Sequence, residues 1–215
     1  MTTALVLRTC AADGTSYNGF RWPLEVGAVV EAPDWDHKPE CGNGLHGALH
    51  GEGDGSLFNW SPDAVWMVVE ADDDRIVELG GKVKFPACVI RHVGDQRSAT
   101  DYIMANDAKA RAVIGATVNG GYCATVTGGY RATVIGGDGA TVTGGHRATV
   151  TGGDGATVTG GGGATVTGGD GAILQIKWYD GKRYRIATAY VGENDIIPNV
   201  PYRLDAVGNF VRADK

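Results

Sequence analysis

Residues 116–171 are seven consecutive octads written almost wholly in Ala, Thr, Val and Gly, from Ala-Thr-Val-Asn-Gly-Gly-Tyr-Cys to Ala-Thr-Val-Thr-Gly-Gly-Asp-Gly. A fixed short period means stacked copies of one small unit, because no single copy can bury a face by itself. Ala-Thr-Val-Thr alternates and is β-branched, so each octad predicts one short strand with Ala and Val on one face and both Thr on the other. A helix is excluded: each Gly costs roughly 1 kcal/mol against Ala, and every octad carries a pair. The Gly-Gly pair is read as a corner at positive φ.

The seventh and eighth positions set the coil. Asp138-Gly139, Asp154-Gly155 and Asp170-Gly171 recur every sixteen residues, with Tyr130-Arg131, His146-Arg147 and Gly162-Gly163 between them. Two octads per coil follow, hence a mainly β fold: a two-sided β-solenoid of about four coils, about 19 Å long at the usual strand spacing. So narrow a stack of Ala and Val needs caps. Three regions are expected: an acidic α+β domain over 1–107, the solenoid over 108–171, and a β-hairpin cap over 172–215.

Charge separates the halves. Residues 1–107 carry a net −9 and 108–215 a net +3. Neither has the concentrated basic footprint of a nucleic-acid binder. Four scattered Cys (Cys10, Cys41, Cys88, Cys123) make no disulfide framework. The N-terminus lacks a signal-peptide pattern and no apolar run reaches membrane-spanning length, so a soluble cytoplasmic protein is expected.

In the first region, strands are expected near 5–9, 28–32, 64–70, 75–79, 82–85 and 87–92, and a helix over 100–111 that closes the first coil. After the repeat, 172–179 and 182–191 are read as a hairpin over Asp180-Gly181, a type I′ signal. A second pair falls at 202–205 and 209–212. Trp178, Tyr179, Tyr184 and Tyr190 are expected to cover the last coil, whose open edge would otherwise invite aggregation.

Candidate chemistry gathers in two places. Cys41, His46 and His50, with Cys88 and His92, are ligand types that Zn²⁺ takes; the alternative is that His46 and Cys41 are buried and hydrogen-bonded within the fold. The same Cys41/His46 cluster, with Glu70, could serve an enzyme. The Gly-Leu-His element with Glu70 resembles ADP-ribosyltransferase folds, although the Arg/His and Ser/Tyr partners of such a site are not legible. The Asp138, Asp154 and Asp170 column is a second place. Gly-Gly-Asp-Gly resembles Ca²⁺-binding repeats, but Thr replaces their second Asp, and plain Asp-Gly turn chemistry is the preferred reading.

The octads resemble those of bacterial ice nucleation proteins, which also run on eight and sixteen residues with Thr-x-Thr outward. The matching pairs are Thr125/Thr127, Thr141/Thr143, Thr149/Thr151, Thr157/Thr159 and Thr165/Thr167; Asn119 and Ile135 depart from the pattern. That resemblance implies an ice-binding face. The whole chain also resembles uncharacterised phage and actinobacterial proteins through Trp22-Pro23, the Cys-x-x-Gly-Leu-His element at 41–46, Gly-Gly-Lys-Val-Lys-Phe at 80–85 and the hairpin at 178–185. It implies phage–host interplay and a host partner. The residues by themselves favour a non-enzymatic interaction protein that self-associates as a homodimer through flat, uncharged faces.

Overall fold

The computed structural model describes residues 2–107 and 111–213. Two compact units emerge, Met1–Ile114 and Gly115–Lys215, and each is taken by itself. Among the described residues no helix is long and apolar enough to cross a membrane.

The first unit is a seven-stranded antiparallel sheet with one helix. Its strands are β1 (Thr3–Cys10), β2 (Val29–Glu31), β3 (Leu45–Leu49), β4 (Val65–Asp72), β5 (Val77–Glu78), β6 (Val83–Phe85) and β7 (Ala87–Gly94), in the order β2-β7-β4-β1-β3-β6-β5. β1 and β4 pair along their whole length, Thr3 opposite Asp72 and Cys10 opposite Val65. Alternation sends Val6, Met67, Val69 and Ile90 to one face, where they pack with Trp22, Leu45 and Phe85. Leu7 and Val68 go to the other face, also fully buried.

Helix α1 (Gln96–Asn106) packs against β1, β4 and β7, burying Ala99, Thr100 and Ile103. It begins earlier than the apolar pattern indicates because Asp95 caps it: the Asp95 carboxylate accepts from Ser98 N at 2.8 Å, and Asp95 N donates to Ser98 Oγ at 3.1 Å. It also ends earlier than expected, at Asn106, because Asp107 is already extended at the C-cap; Arg111 is not helical, and 108–110 lie outside the described residues.

The second unit is the β-solenoid, of about four coils with sixteen residues each. One parallel sheet stacks β8 (Thr117–Asn119), β10 (Thr133–Ile135), β12 (Thr149–Gly152) and β14 (Thr165–Gly168); the other stacks β9 (Thr125–Gly128), β11 (Thr141–Gly144), β13 (Thr157–Gly160) and β15 (Ile173–Tyr179). Residues sixteen apart are partners: Val134 with Val150, Val142 with Val158. Hydrogen bonds follow this register, each amide reaching the carbonyl just before its partner, from Thr133 N to Ala116 O and from Thr149 N to Ala132 O, both 2.9 Å. The interior holds Ala132, Val134, Ala140, Val142, Ala148, Val150, Ala156 and Val158, all with essentially no exposure.

The corner differs from the sequence expectation. Positive φ falls on the eighth position, at Cys123, Arg131, Gly139, Arg147, Gly155, Gly163 and Gly171, and not on the Gly-Gly pair. The pair is needed for space. The first glycine faces inward: a Cβ on Gly144 would stand 2.4 Å from Val150 Cγ2. The second lies against the neighbouring rung: a Cβ on Gly145 would stand 2.6 Å from the carbonyl carbon of Gly129.

The C-terminal end is closed by hairpins. β15 pairs antiparallel with β16 (Tyr184–Tyr190), and β14 with β17 (Tyr202–Leu204), which pairs with β18 (Phe210–Arg212). Leu174 and Ile176 take the inward positions that Val158 and Gly160 occupy one rung below. Val191, Ile196 and Tyr202 complete the cover, and the Tyr202 hydroxyl accepts from Ile197 N at 2.8 Å while donating to Asp195 O at 3.2 Å. The expected aromatics do not do this. Tyr179, Tyr184 and Tyr190 are more than half exposed, because alternation along β15 and β16 turns them outward. Trp178 faces inward but packs at Gly208 in the β17–β18 turn. The β15–β16 turn also departs from type I′, which needs positive φ at both central residues: Gly181 has φ 92° but Lys182 is not left-handed.

Gly145→Ala is expected to destabilise the solenoid by about 1–3 kcal/mol, the usual cost of overpacking where only backbone could yield. Gly155→Asn, at φ 64° with open space around it, is expected to stay within about 1 kcal/mol of wild type, since Asn tolerates the left-handed region. Thermal melts followed by circular dichroism compare the two.

Candidate functional site

The outward threonines form columns because the parallel pairing is in register. On one sheet Thr125, Thr141 and Thr157 align, as do Thr127, Thr143 and Thr159. Both columns continue, the first through Ile173 to Tyr190 and the second through Gln175 to Thr188. Ten residues on five strands therefore present hydroxyl, amide and apolar groups without one charge. Threonines are about 4.8 Å apart between rungs and about 6.7 Å apart along a strand. Thr159 Oγ1 donates to Gln175 Oε1 at 3.2 Å.

The other sheet is less regular. Thr149 and Thr151 align with Thr165 and Thr167, but Asn119 and Ile135 break the second column, and Ile135 is 40% exposed. The ten threonines singled out from the sequence thus separate into six on one face and four on the other.

The aspartate column supports the corner. Asp138 Oδ1 accepts from Asp154 N at 3.0 Å, and Asp154 Oδ1 accepts from Asp170 N at 2.8 Å. The carboxylates of Asp138 and Asp154 thus each satisfy an amide in the next rung. At the opposite corner Tyr130 and His146 lie with ring centroids 5.5 Å apart.

In the first unit the candidate metal ligands are dispersed. Among the described residues no group of three or more His, Cys, Asp or Glu side chains is placed to hold a metal ion. Cys41 is exposed, and Lys82 Nζ donates to its sulfur at 3.0 Å. His46 sits on β3. His50 ends that strand at φ 54° with Nδ1 2.8 Å from Asp107 Oδ2. Cys88 is buried. His92 lies 3.0 Å from Ser98 Oγ and stacks on Tyr102 of α1.

Cys88 and His92 stand about 13 Å apart by strand rise alone, and a β-bulge between them turns them to opposite faces. Val68 pairs with His92 but Val69 with Ile90, so Arg91 is an extra residue. The bulge shifts the alternation: Cys88, Ile90 and Val93 contact the core cluster, while His92 turns to the helix. Glu70 does not join Cys41 and His46 either. It pairs with Leu5 near the start of β1, accepts from Thr3 Oγ1 at 2.8 Å and is bonded to Arg91. The β1–β3 register, Val6 with Leu49 and Leu7 with Ala48, runs His46 toward the opposite end of β1.

What the sequence reading missed is a basic group around His46. Arg8 is buried, its guanidinium 3.5 Å from the centre of the Trp22 ring and donating to His46 O at 3.2 Å. Burial pulls its pKa down to about 9. Lys84, opposite His46 across β3–β6, is 1% exposed and donates to Gly42 O at 3.3 Å. Burial first, then Lys82, Lys84 and Arg8, push the His46 imidazole toward the neutral form. The Lys82 hydrogen bond lowers the Cys41 thiol, while burial raises Cys88 to about 12. The Lys-x-Lys of residues 82–84 was the visible signal.

Comparison with known proteins divides the chain in the same way. Residues 4–105 match a family model described as a domain of unknown function, DUF7666. The repeat-rich region is similar to bacterial ice nucleation proteins. The ice nucleation protein InaU of Pantoea ananas is 37% identical over 46% of this chain and 10% of its own length. Ice nucleation proteins of Pseudomonas fluorescens and Pseudomonas syringae are 38% and 39% identical over 50% and 49% of this chain and 9% of theirs. The chain thus spans about a tenth of the length of the curated relatives it matches. No solved structure matches it.

Two outcomes follow from these contacts. Asp154→Ala is expected to cost about 0.5–1.5 kcal/mol, the net value of one lost hydrogen bond, whereas Asp154→Asn keeps the acceptor and stays near wild type in the same melts. Lys82→Met is expected to slow iodoacetamide alkylation of Cys41 several-fold near neutral pH, because the thiolate is the reacting species. Mass spectrometry reads the rate, with buried Cys88 remaining protected throughout.

Proposed function

We propose that the chain is a non-enzymatic structural and interaction protein, associating with itself or with a partner through its solenoid, two of whose outer columns carry no charge. The observation that carries this reading is the pair of charge-free columns crossing five strands, Thr125 to Tyr190 and Thr127 to Thr188. Such a surface is flat, periodic and without an ionic desolvation cost, which suits contact with another extended surface better than turnover of a small molecule. The resemblance to phage proteins points to a host protein as the heterologous partner.

A second reading is favoured by the similarity to ice nucleation proteins: the six aligned threonines would order water as an ice-binding face. On the first reading, sedimentation velocity of the full chain shows self-association developing in the micromolar range, and ice recrystallisation is unaffected at about 100 µM, where such a complex is largely formed. A chain that stays monomeric there removes self-association. Recrystallisation inhibition that disappears in Thr141→Lys/Thr143→Lys would replace the first reading with the second.

A further inference from the structure

We infer that β16 is a self-complementary edge strand through which a second copy of this chain pairs antiparallel, continuing the sheet β9-β11-β13-β15-β16 across a two-fold axis at Ala187. The inference rests on the self-association reading above and places the contact at the strand edge where both columns end.

The first support is the free edge. β16 ends its sheet. Val191 N donates to Ala172 O at 2.9 Å and Asp180 N to Arg183 O at 3.1 Å. These mark the odd-numbered residues as the hydrogen-bonded positions toward β15, because antiparallel ladders alternate. The backbone groups of Tyr184, Ile186 and Thr188 therefore point to the unpaired side. The strand is seven residues long and carries no proline, and its one charge, Arg185, is taken up by Asp180 within the same hairpin.

The second support is the sequence of that edge, Tyr-Arg-Ile-Ala-Thr-Ala-Tyr, which is close to a palindrome. An antiparallel copy centred on Ala187 places Tyr184 opposite Tyr190, Ile186 opposite Thr188 and Arg185 opposite Ala189 of the second copy. Aromatic meets aromatic, β-branched meets β-branched, and no like charges face each other. The even-numbered pairs fall on hydrogen-bonding positions, as the free backbone groups require. Ala187 meets its own copy at the close, non-hydrogen-bonded position, where a small side chain fits.

The third support is charge. Continuing the register beyond the strand brings the basic tip, Lys182 and Arg183, beside the Gly192–Asp195 segment of the second copy, which carries Glu193 and Asp195. This happens twice by symmetry. On the outer face Tyr184, Ile186 and Tyr190 are each more than half exposed, and pairing would join them into one cross-strand cluster.

The test uses the full chain with exposed Cys41 and Cys123 changed to Ser. Ala187→Cys is expected to form a disulfide-linked dimer under mild oxidation, since its partner Cα would lie about 4.5 Å away, within disulfide reach. Thr188→Cys is expected not to cross-link, its own copy being displaced diagonally to about 7–8 Å. Separately, Thr188→Pro removes an N–H that faces the free edge and leaves the β15 ladder intact. It is expected to weaken dimerisation at least about tenfold by sedimentation velocity, with an unchanged circular dichroism spectrum. If Thr188→Pro misfolds, the cysteine pair still decides. A dimer that survives Thr188→Pro, or that cross-links through Thr188→Cys and not Ala187→Cys, overturns edge pairing while self-association stands. A monomeric wild type overturns both.

Discussion

The solenoid depends on how close its two sheets come. Each strand sends Ala, Val and then Gly inward, and that glycine lies where a methyl group would touch the valine of the next octad. The sheets can approach this closely only because the third inward side chain is missing. The second glycine imposes the same limit along the stack, since a Cβ there would meet backbone of the adjacent rung. Small residues thus create a dry interior from short strands, and the parallel ladder of amides holds the period. The threonine columns, the aspartate ladder and the Tyr130–His146 contact are consequences of that register.

The end of the stack shows what happens when the limit is lifted. In β15 the inward positions become Leu174 and Ile176, and the chain stops repeating. Larger side chains fill the end, Tyr202 seals it, and antiparallel hairpins take over the hydrogen bonds of β14 and β15. An antiparallel hairpin closes one edge but exposes another, and in one sheet that outer edge is β16.

The N-terminal sheet handles its polar groups differently. Arg8 and Lys84 are buried beside His46, with Trp22 and Trp35 rings and backbone carbonyls taking the place of carboxylates. In a domain with a net charge of −9, the acidic side chains lie mostly at the surface as caps and turn formers. Asp54, Asp72 and Asp95, for example, each accept a backbone amide at the start of a helical turn.

The sequence alone determined the repeat. Strict eight-residue phasing of Ala, Thr, Val and Gly leaves stacked strands as the only way to hide valine, and the sixteen-residue recurrence of Asp-Gly sets two strands to a coil. Most strands of the first unit were also legible from short apolar runs. Only the tertiary structure decided which glycine was needed for space and which corner residue turned left-handed, because both depend on the neighbouring rung. It likewise decided that Arg91 bulges and turns His92 to the face opposite Cys88, that Glu70 pairs with Arg91, and that Tyr179, Tyr184 and Tyr190 face outward while Tyr202 is buried. Local pattern fixes a strand and its alternation; which face is inside, and what waits there, is set by contacts between residues far apart in the chain.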